Sequence, residues 1–441
     1  MKFATIVALS LLFIAGSHAG EYTVVVSKTT HADAGWKRVV DALVKKHNAS
    51  VVTFETSVDE ALPALQKQYP RYVCFVAQPT EAGREFVATV HQLTRKFNDD
   101  PYTDCFWGIL TGYNADNALR IAKCNKPLTV RKVASATEIA LEMCEEGLWY
   151  DELVKGKMVK KEKGGTARQL EGPADTTEAL VKTLNDYKAD AFVTSGHASE
   201  RDWNIGYRYR NGQFRCKDGV LYGLDTTGKK FPVNSPNPKV YLPVGNCLMG
   251  HIDGSNCMAI AYMNSAGVNQ MLGYTVPTGY GYGGWGCLDY FIEQPGRYTF
   301  AEAFFANQAA LIHRLTNPDV DRGLRGDRDV VAFYGDPAWE ARMAKAPTAW
   351  DQTLTHKGNV WTFEIKPNRA EKTFEPINTN GSQRGYRPIV QFLPCRLKNA
   401  EVIEGADLKP VITDNFILIP NPPQCDPAKK YRVVFRAALA S

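Results

Sequence analysis

Residues 189–197 read Ala-Asp-Ala-Phe-Val-Thr-Ser-Gly-His, and residues 240–247 read Val-Tyr-Leu-Pro-Val-Gly-Asn-Cys. Both carry a short run of β-branched and aromatic residues closed by Gly or Pro. That is the pattern of a buried strand ending in a loop. The first run delivers His197 and the second Cys247. In an open parallel α/β sheet, ligands bind outside the carboxyl ends of the strands. Two adjacent strands of this kind would aim a His and a Cys into one crevice.

The flanking sequence carries the same rhythm. Strand-like runs at Tyr22–Val26, Val51–Phe54 and Tyr72–Val76 alternate with helical patterns at Ala34–His47, Val58–Gln68 and Glu81–Phe97. Such β-α repetition predicts a parallel sheet covered by helices. Asp104–Leu110 reads as a further strand. Asn114 is suited to cap a helix over 114–123, and Thr137–Leu148 reads as a helix. Lys155–Pro173 is rich in Lys and Gly and reads as an exposed loop, where a subdomain boundary is placed. Asn204–Lys239 is punctuated by Gly, Asn and Pro and reads as a hairpin or a loop over the crevice. Asn256–Ser265 is helical with Gly267 as its stop, Val268–Tyr274 a strand, and 279–286 a glycine-aromatic loop. Thr299–Leu315 is a long helix. From Thr348 onward helical periodicity vanishes. Short strand-like runs at Val360–Ile365, Ile389–Leu393, Phe416–Ile419 and Tyr431–Phe435 predict a small β-sandwich.

The chain has 441 residues, long for one domain. Its composition, 44% hydrophobic and 22% charged, excludes disordered and fibrous classes. The net charge of +5 is too weak and too dispersed to point to nucleic acid. The first residues form a secretory leader: Lys2, then the apolar run Phe3–Ala15, then the small-residue cleavage site Ser17-His18-Ala19. The mature chain is expected to begin near Gly20 and to be exported, with no membrane span. The expected organisation is a signal peptide over 1–19, α/β subdomains over 20–155 and 156–347, and a C-terminal β-sandwich over 348–441. Ten cysteines in an exported chain raise the question of disulfides. No pairing is assigned; Cys395 and Cys425 share the tail and are the first couple to consider.

A thiol becomes a strong nucleophile as the thiolate, a form that a neighbouring imidazole favours, and the imidazole can later protonate a leaving amine. The tetrahedral intermediate needs donors for its oxyanion. The backbone N–H groups of Cys247 and Ala198 stand where such donors are required. Gly245 and Gly250 bracket the Cys and suit a tight backbone. The bland readings are a core cysteine and a structural histidine. Cys247, His251 and Cys257 invite a zinc reading, but their x3 and x5 spacings match no common structural pattern. No metal or other cofactor is required.

Gly196-His197-Ala198-Ser199-Glu200-Arg201-Asp202-Trp203 resembles the Gly-His-Gly-Ser-Glu-x-x-Trp stretch of the gingipain family of cysteine peptidases, relatives of the caspases. Asn246-Cys247-Leu248-Met249-Gly250 resembles the family's nucleophile turn, and Phe333-Tyr334-Gly335-Asp336-Pro337-Ala338 the stretch that closes its catalytic domain. Asp104–Gly112 is similar to a strand of its first subdomain. The 50-residue separation of His and Cys is like that of caspases. The resemblance covers roughly residues 20–345, and the tail occupies the place of the family's immunoglobulin-like domain. It implies a caspase-like open, mostly parallel sheet flanked by helices. It also implies endopeptidase activity on proteins or peptides, a His197/Cys247 dyad, and an oxyanion hole at Ala198 and Cys247. By position, Trp285 resembles a pocket-wall tryptophan. Glu200 is a second pocket candidate, and Glu200 or Asp202 are candidates to orient His197. Structural calcium occurs in the family, but no matching ligand motif is found here. The family's specificity for basic residues depends on a pocket acid that the sequence does not locate. The family usually has Gly where this chain has Ala198. That departure supports the rival reading, a catalytically silent caspase-like fold acting as a secreted binding or surface protein.

Overall fold

The structure, a computed structural model, describes residues 21–316, 320, 322–381 and 383–440. The leader over 1–19 lies outside the described residues.

Twelve strands form the largest sheet and are numbered here in chain order. They are β1 Tyr22–Ser27, β2 Ser50–Phe54, β3 Tyr72–Val76, β4 Phe106–Leu110, β5 Lys132–Ser135 and β6 Glu146–Tyr150. The rest are β7 Lys157–Lys161, β8 Arg168–Glu171, β9 Ala191–Thr194, β10 Lys239–Pro243, β11 Val268–Tyr274 and β12 Val331–Tyr334. Their spatial order is β2-β1-β3-β4-β12-β11-β10-β9-β5-β6-β7-β8. Two parallel runs, β2 to β12 and β11 to β6, meet at the antiparallel β11–β12 pair. The two runs therefore point in opposite directions, and each presents its carboxyl ends on its own edge.

Strands buried on both faces read as unbroken apolar runs because no side is left for water. Every residue of β1 is buried, and each fully buried Val contributes about 1.5–3 kcal/mol. The covering helices are α1 Ala34–His47, α2 Arg84–Leu93, α3 Ala115–Lys123, α4 Thr177–Asn185, α5 Met258–Ser265, α6 Tyr282–Phe291 and α7 Phe300–Leu315. Asn114 caps α3 as its sequence suggests, its Oδ1 accepting from Asn117 N at 2.9 Å. Asp336 closes the sheet. It accepts from the Tyr22 hydroxyl at 2.8 Å and pairs with Lys46 at 2.9 Å and His47 at 2.7 Å. Burial alone would raise its carboxyl, but His47 and Lys46 outweigh this and hold it well below the usual carboxylate range.

Three stretches differ from their sequence patterns. Lys155–Pro173 is no loop: it holds the β7–β8 hairpin, which extends the sheet antiparallel to β6. Its residues are half-buried or exposed, so no apolar alternation marks it. Thr137–Leu148 is not one helix but a short 3₁₀ turn at Leu141–Met143 leading into β6. The helical spacing of its apolar residues comes from two buried elements in sequence. The glycine-aromatic loop is largely α6, with Gly281 at its N-cap in the left-handed region at φ 85°. Asn204–Lys239 forms a separate four-stranded antiparallel sheet with Asp202–Asn204, Gln213–Lys217, Val220–Leu224 and Lys230–Pro232.

The tail folds into two antiparallel sheets. Trp350–Lys357, Val360–Pro367, Tyr431–Leu439 and Leu397–Glu404 form the first; Ile389–Phe392, Phe416–Ile419 and Val411–Ile412 form the second. Period-two alternation decides how they pack. Ile389, Ile417 and Ile419 face the tail's own core with Trp361, Phe363, Val433 and Phe435. Val390, Phe416 and Leu418 join the core of the α/β part. The tail is thus packed onto the α/β part through apolar surface, reinforced where Arg71 donates to Leu393 O at 3.1 Å. All ten cysteines are free, Cys395 and Cys425 included. Among the described residues, no helix is long and apolar enough to cross a membrane.

Candidate active site

Strands β11, β10, β9, β5 and β6 run parallel and side by side, so their carboxyl ends line one edge. Thr194 of β9 lies opposite Pro243 of β10. The loops leaving these ends contribute, in spatial order, Thr278, Cys247, His197, Thr137 and Glu152. His197 and Cys247 therefore stand at the ends of adjacent strands.

The Cys247 turn is built tightly. Leu248, not a glycine, takes the left-handed conformation at φ 56°. The turn closes through Leu248 N to Val276 O at 3.2 Å and His251 N to Leu248 O at 2.9 Å. Gly245 and Gly250 serve close approach instead. A Cβ on Gly245 would stand 2.6 Å from Ser195 Oγ and 3.2 Å from Trp285 Nε1, and one on Gly250 would collide with the Gly273 backbone. The half-buried Cys247 sulfur accepts from Thr278 N at 3.2 Å and can donate to Thr278 O at 3.3 Å. Asn246 is fully buried and clamps the two turns together. Its Nδ2 donates to Gly196 O at 2.9 Å, and its Oδ1 accepts from Thr194 Oγ1 at 2.6 Å.

The His197 turn reaches further into solvent. Gly196 needs the left-handed region, at φ 100°. Trp203, fully buried, donates its indole N–H to Ser195 O at 2.7 Å. Ala198 and Trp203 form an isolated antiparallel bridge, closed by Ser199 N to Asp202 O at 2.8 Å and Asn204 N to His197 O at 2.9 Å. Those bonds flank Ala198 and leave its own N–H pointing away from the bridge. Among the described residues, neither the Ala198 nor the Cys247 N–H has a hydrogen-bond partner. Among the described residues, the exposed His197 imidazole makes no hydrogen bond, to the Cys247 sulfur or any other group; its ring stacks on Tyr207.

Below the two turns lies an acid. Glu152 Oε1 accepts from Thr137 Oγ1 at 2.8 Å, while Oε2 is buried, makes no hydrogen bond of ordinary geometry among the described residues, and lies on the Ser195 side, 3.8 Å from where a Gly196 Cβ would be. Burial pushes this carboxyl up to about 7, against the opposing pull of the Thr137 and Ser195 hydroxyls. Trp285, on α6 and 3% exposed, lies under Gly245 and against Gly381 of the tail. It supports the Cys247 turn through Gly245. The Arg384 guanidinium sits 5.2 Å from the Trp285 ring centroid, with Nε 2.6 Å from Asp289 of α6 and Nη2 2.5 Å from Glu293 just beyond it. Arg387 pairs with the same Asp289 at 2.9 Å.

Glu200 and Asp202 lie beside His197 in sequence, but neither carboxylate bonds to its ring. The Glu200 carbonyl instead accepts from Met258 N, at the start of α5, at 2.8 Å. Glu152, Asn246 and Tyr207 are the residues that sequence reasoning missed. Glu152 had a readable signal, as the second of the acid pair Asp151-Glu152 that follows the apolar run Gly147-Leu148-Trp149-Tyr150, hidden by taking that run for a helix end. Burial pushes up the thiols of Cys74, Cys105, Cys144, Cys216, Cys257 and Cys287. Among the described residues, no group of three or more His, Cys, Asp or Glu side chains is arranged to hold a metal.

No family model matches the chain, and no curated protein does. Two solved structures are similar to it. One is the complex of the pro- and mature domains of Porphyromonas gingivalis RgpB, with TM-score 0.49 and 13% identity, covering 91% of this chain and 93% of that one. The other, described as a structure of a protease, has TM-score 0.44 and 10% identity, covering 96% of this chain and 98% of that one.

Proposed function

We propose that this chain is an exported cysteine endopeptidase. The observation that carries the reading is the convergence at one sheet edge of a thiol, an imidazole and two unpaired backbone N–H groups. The Cys247 thiolate attacks the scissile carbonyl carbon, and the N–H groups of Ala198 and Cys247 take the oxyanion. His197 gives its proton to the departing amine, leaving a thioester on Cys247. Water, deprotonated by His197, then splits the thioester and restores the thiol. The partner-less oxygen of Glu152, beneath the crevice, is best satisfied by a cation. A Lys or Arg side chain before the scissile bond supplies one. Export rests on the leader over 1–19 and belongs to the same proposal.

The test is labelling of the purified mature protein with peptidyl chloromethyl or acyloxymethyl ketones bearing Lys, Arg, Asn or an apolar residue at P1, followed by peptide mapping. The expected result is an adduct on Cys247 from the Lys and Arg reagents, lost in His197→Ala. Folded protein that takes no adduct from any reagent overturns the reading in favour of a silent binding protein. An adduct from the Asn or apolar reagents alone overturns the role of Glu152.

A further inference from the structure

The imidazole of a catalytic histidine needs a fixed plane, and a carboxylate or carbonyl commonly supplies it through a hydrogen bond. His197 has none. Its backbone is held by Asn204 N, but its ring is exposed and meets the ring of Tyr207, with centroids 4.8 Å apart and planes 25° from parallel. Tyr207 is itself 51% exposed, a large side chain left at the surface with this stack as its ring contact.

The segment that carries Tyr207 is pinned at both ends. Tyr207 N and Arg208 N both donate to Glu152 O, at 2.6 and 3.2 Å. The Tyr209 hydroxyl donates to Asp151 O at 2.7 Å, and Ile205 N donates to Gly212 O at 3.0 Å. Gly206 lets the chain turn at φ 81°, where a Cβ would press within 3.2 Å of the Tyr209 ring. Residues 205–212 thus form an anchored strap from the end of β6 across the His197 turn. A stacked aromatic pair holds an offset geometry, and the face of a tyrosine attracts a cation placed over it. A pinned ring can therefore set the plane of the imidazole.

We propose that Tyr207 is a positioning residue for His197, an aromatic platform in the place where a carboxylate would otherwise orient the imidazole. This rests on the peptidase reading above. The platform acts on the proton-transfer group and touches no substrate, so its loss should slow chemistry and spare binding.

The experiment compares wild type, Tyr207→Ala and Tyr207→Phe with a single lysyl chloromethyl ketone, separating the inactivation rate constant from the inhibitor affinity. Loss of one stacked pair is expected to slow inactivation roughly two- to tenfold in Tyr207→Ala with affinity unchanged, and Tyr207→Phe should restore the rate. A second readout needs no catalysis: diethyl pyrocarbonate, mapped by mass, should modify His197 faster in Tyr207→Ala because one ring face is uncovered. A labelled wild type with an unslowed Tyr207→Ala overturns the platform alone. So does equal slowing in Ala and Phe, which would assign the effect to the hydroxyl. An unlabelled wild type overturns the peptidase reading and the platform's catalytic role with it, whatever the carbethoxylation rates.

Discussion

The two shoulders of the crevice are built to different standards. The Cys247 turn is backed by Trp285, Asn246 and the Gly250–Gly273 crossing, and below Trp285 lies a buried ion cluster of Asp289 and Glu293 with Arg384 and Arg387. The His197 turn stands in solvent, its ring resting on a surface tyrosine. The Cys247 turn is held by the core and the tail, whereas the His197 ring rests on a strap. Under the proposed function, the Cys247 shoulder should therefore fail through stability, and the His197 shoulder through rate.

The largest effect is expected at Asp289. Asp289→Ala leaves Arg384 and Arg387 buried without this partner, which costs about 3–5 kcal/mol. The urea midpoint should fall, and Cys247 labelling should fall with it, while His197 carbethoxylation stays as in wild type below the new midpoint. An unchanged midpoint would break the comparison, since the tail would then not anchor the Cys247 turn. Asn246→Ala comes next. It leaves Gly196 O and Thr194 Oγ1 without this partner, at about 1–3 kcal/mol, and it uncouples the two turns. Inactivation should slow beyond what the stability loss accounts for, as measured at a pH and temperature where both proteins are fully folded.

A smaller effect follows from Glu152. Its folded carboxyl, at about 7, lies above the unfolded value near ~4.3. Between these values the folded state binds more protons, so stability is fully present below the lower value and is lost as pH rises through about 7. Glu152→Gln should flatten that loss in pH-dependent urea unfolding. Over the same range wild type should gain affinity for a lysyl ketone as the carboxylate forms, and Glu152→Gln should not. The smallest change concerns the other thiols. A stoichiometric iodoacetamide pulse near neutral pH should label Cys247 ahead of the six cysteines, five buried and Cys216 half-buried, whose thiols burial pushes up. Early labelling of any of those six would show that the surrounding core opens readily.

Legibility followed burial. Strands β1, β3, β9 and β10 announce themselves because both faces are covered, so their residues are apolar whichever way they point. The tail strands are legible through alternation. The β7–β8 hairpin is not, because an edge hairpin with half its surface in water can carry Lys and Arg throughout, which also protects the edge from pairing. Helix α6 is the sharper case. Gly283, Gly284 and Gly286 argue against a helix on propensity, yet each meets a neighbour: Val331 at 2.8 Å from a Gly283 Cβ, the Val244 carbonyl above Gly284, and Asn307 beside Gly286. Packing against β10, β12 and α7 requires residues without side chains there and outweighs their cost to the helix.

The chain's own order of residues determined the alternating α/β architecture, the two strands that end in His197 and Cys247, and the all-β tail. These depend on local periodicity and on which residues must leave water. The tertiary structure alone decided that five strand ends share one edge, that Glu152 lies beneath the His197 turn, that Asn246 joins the two turns, and that Arg384 of the tail braces Trp285. Those contacts join residues tens to hundreds of positions apart, and no local pattern encodes the strand order and crossovers that bring them together.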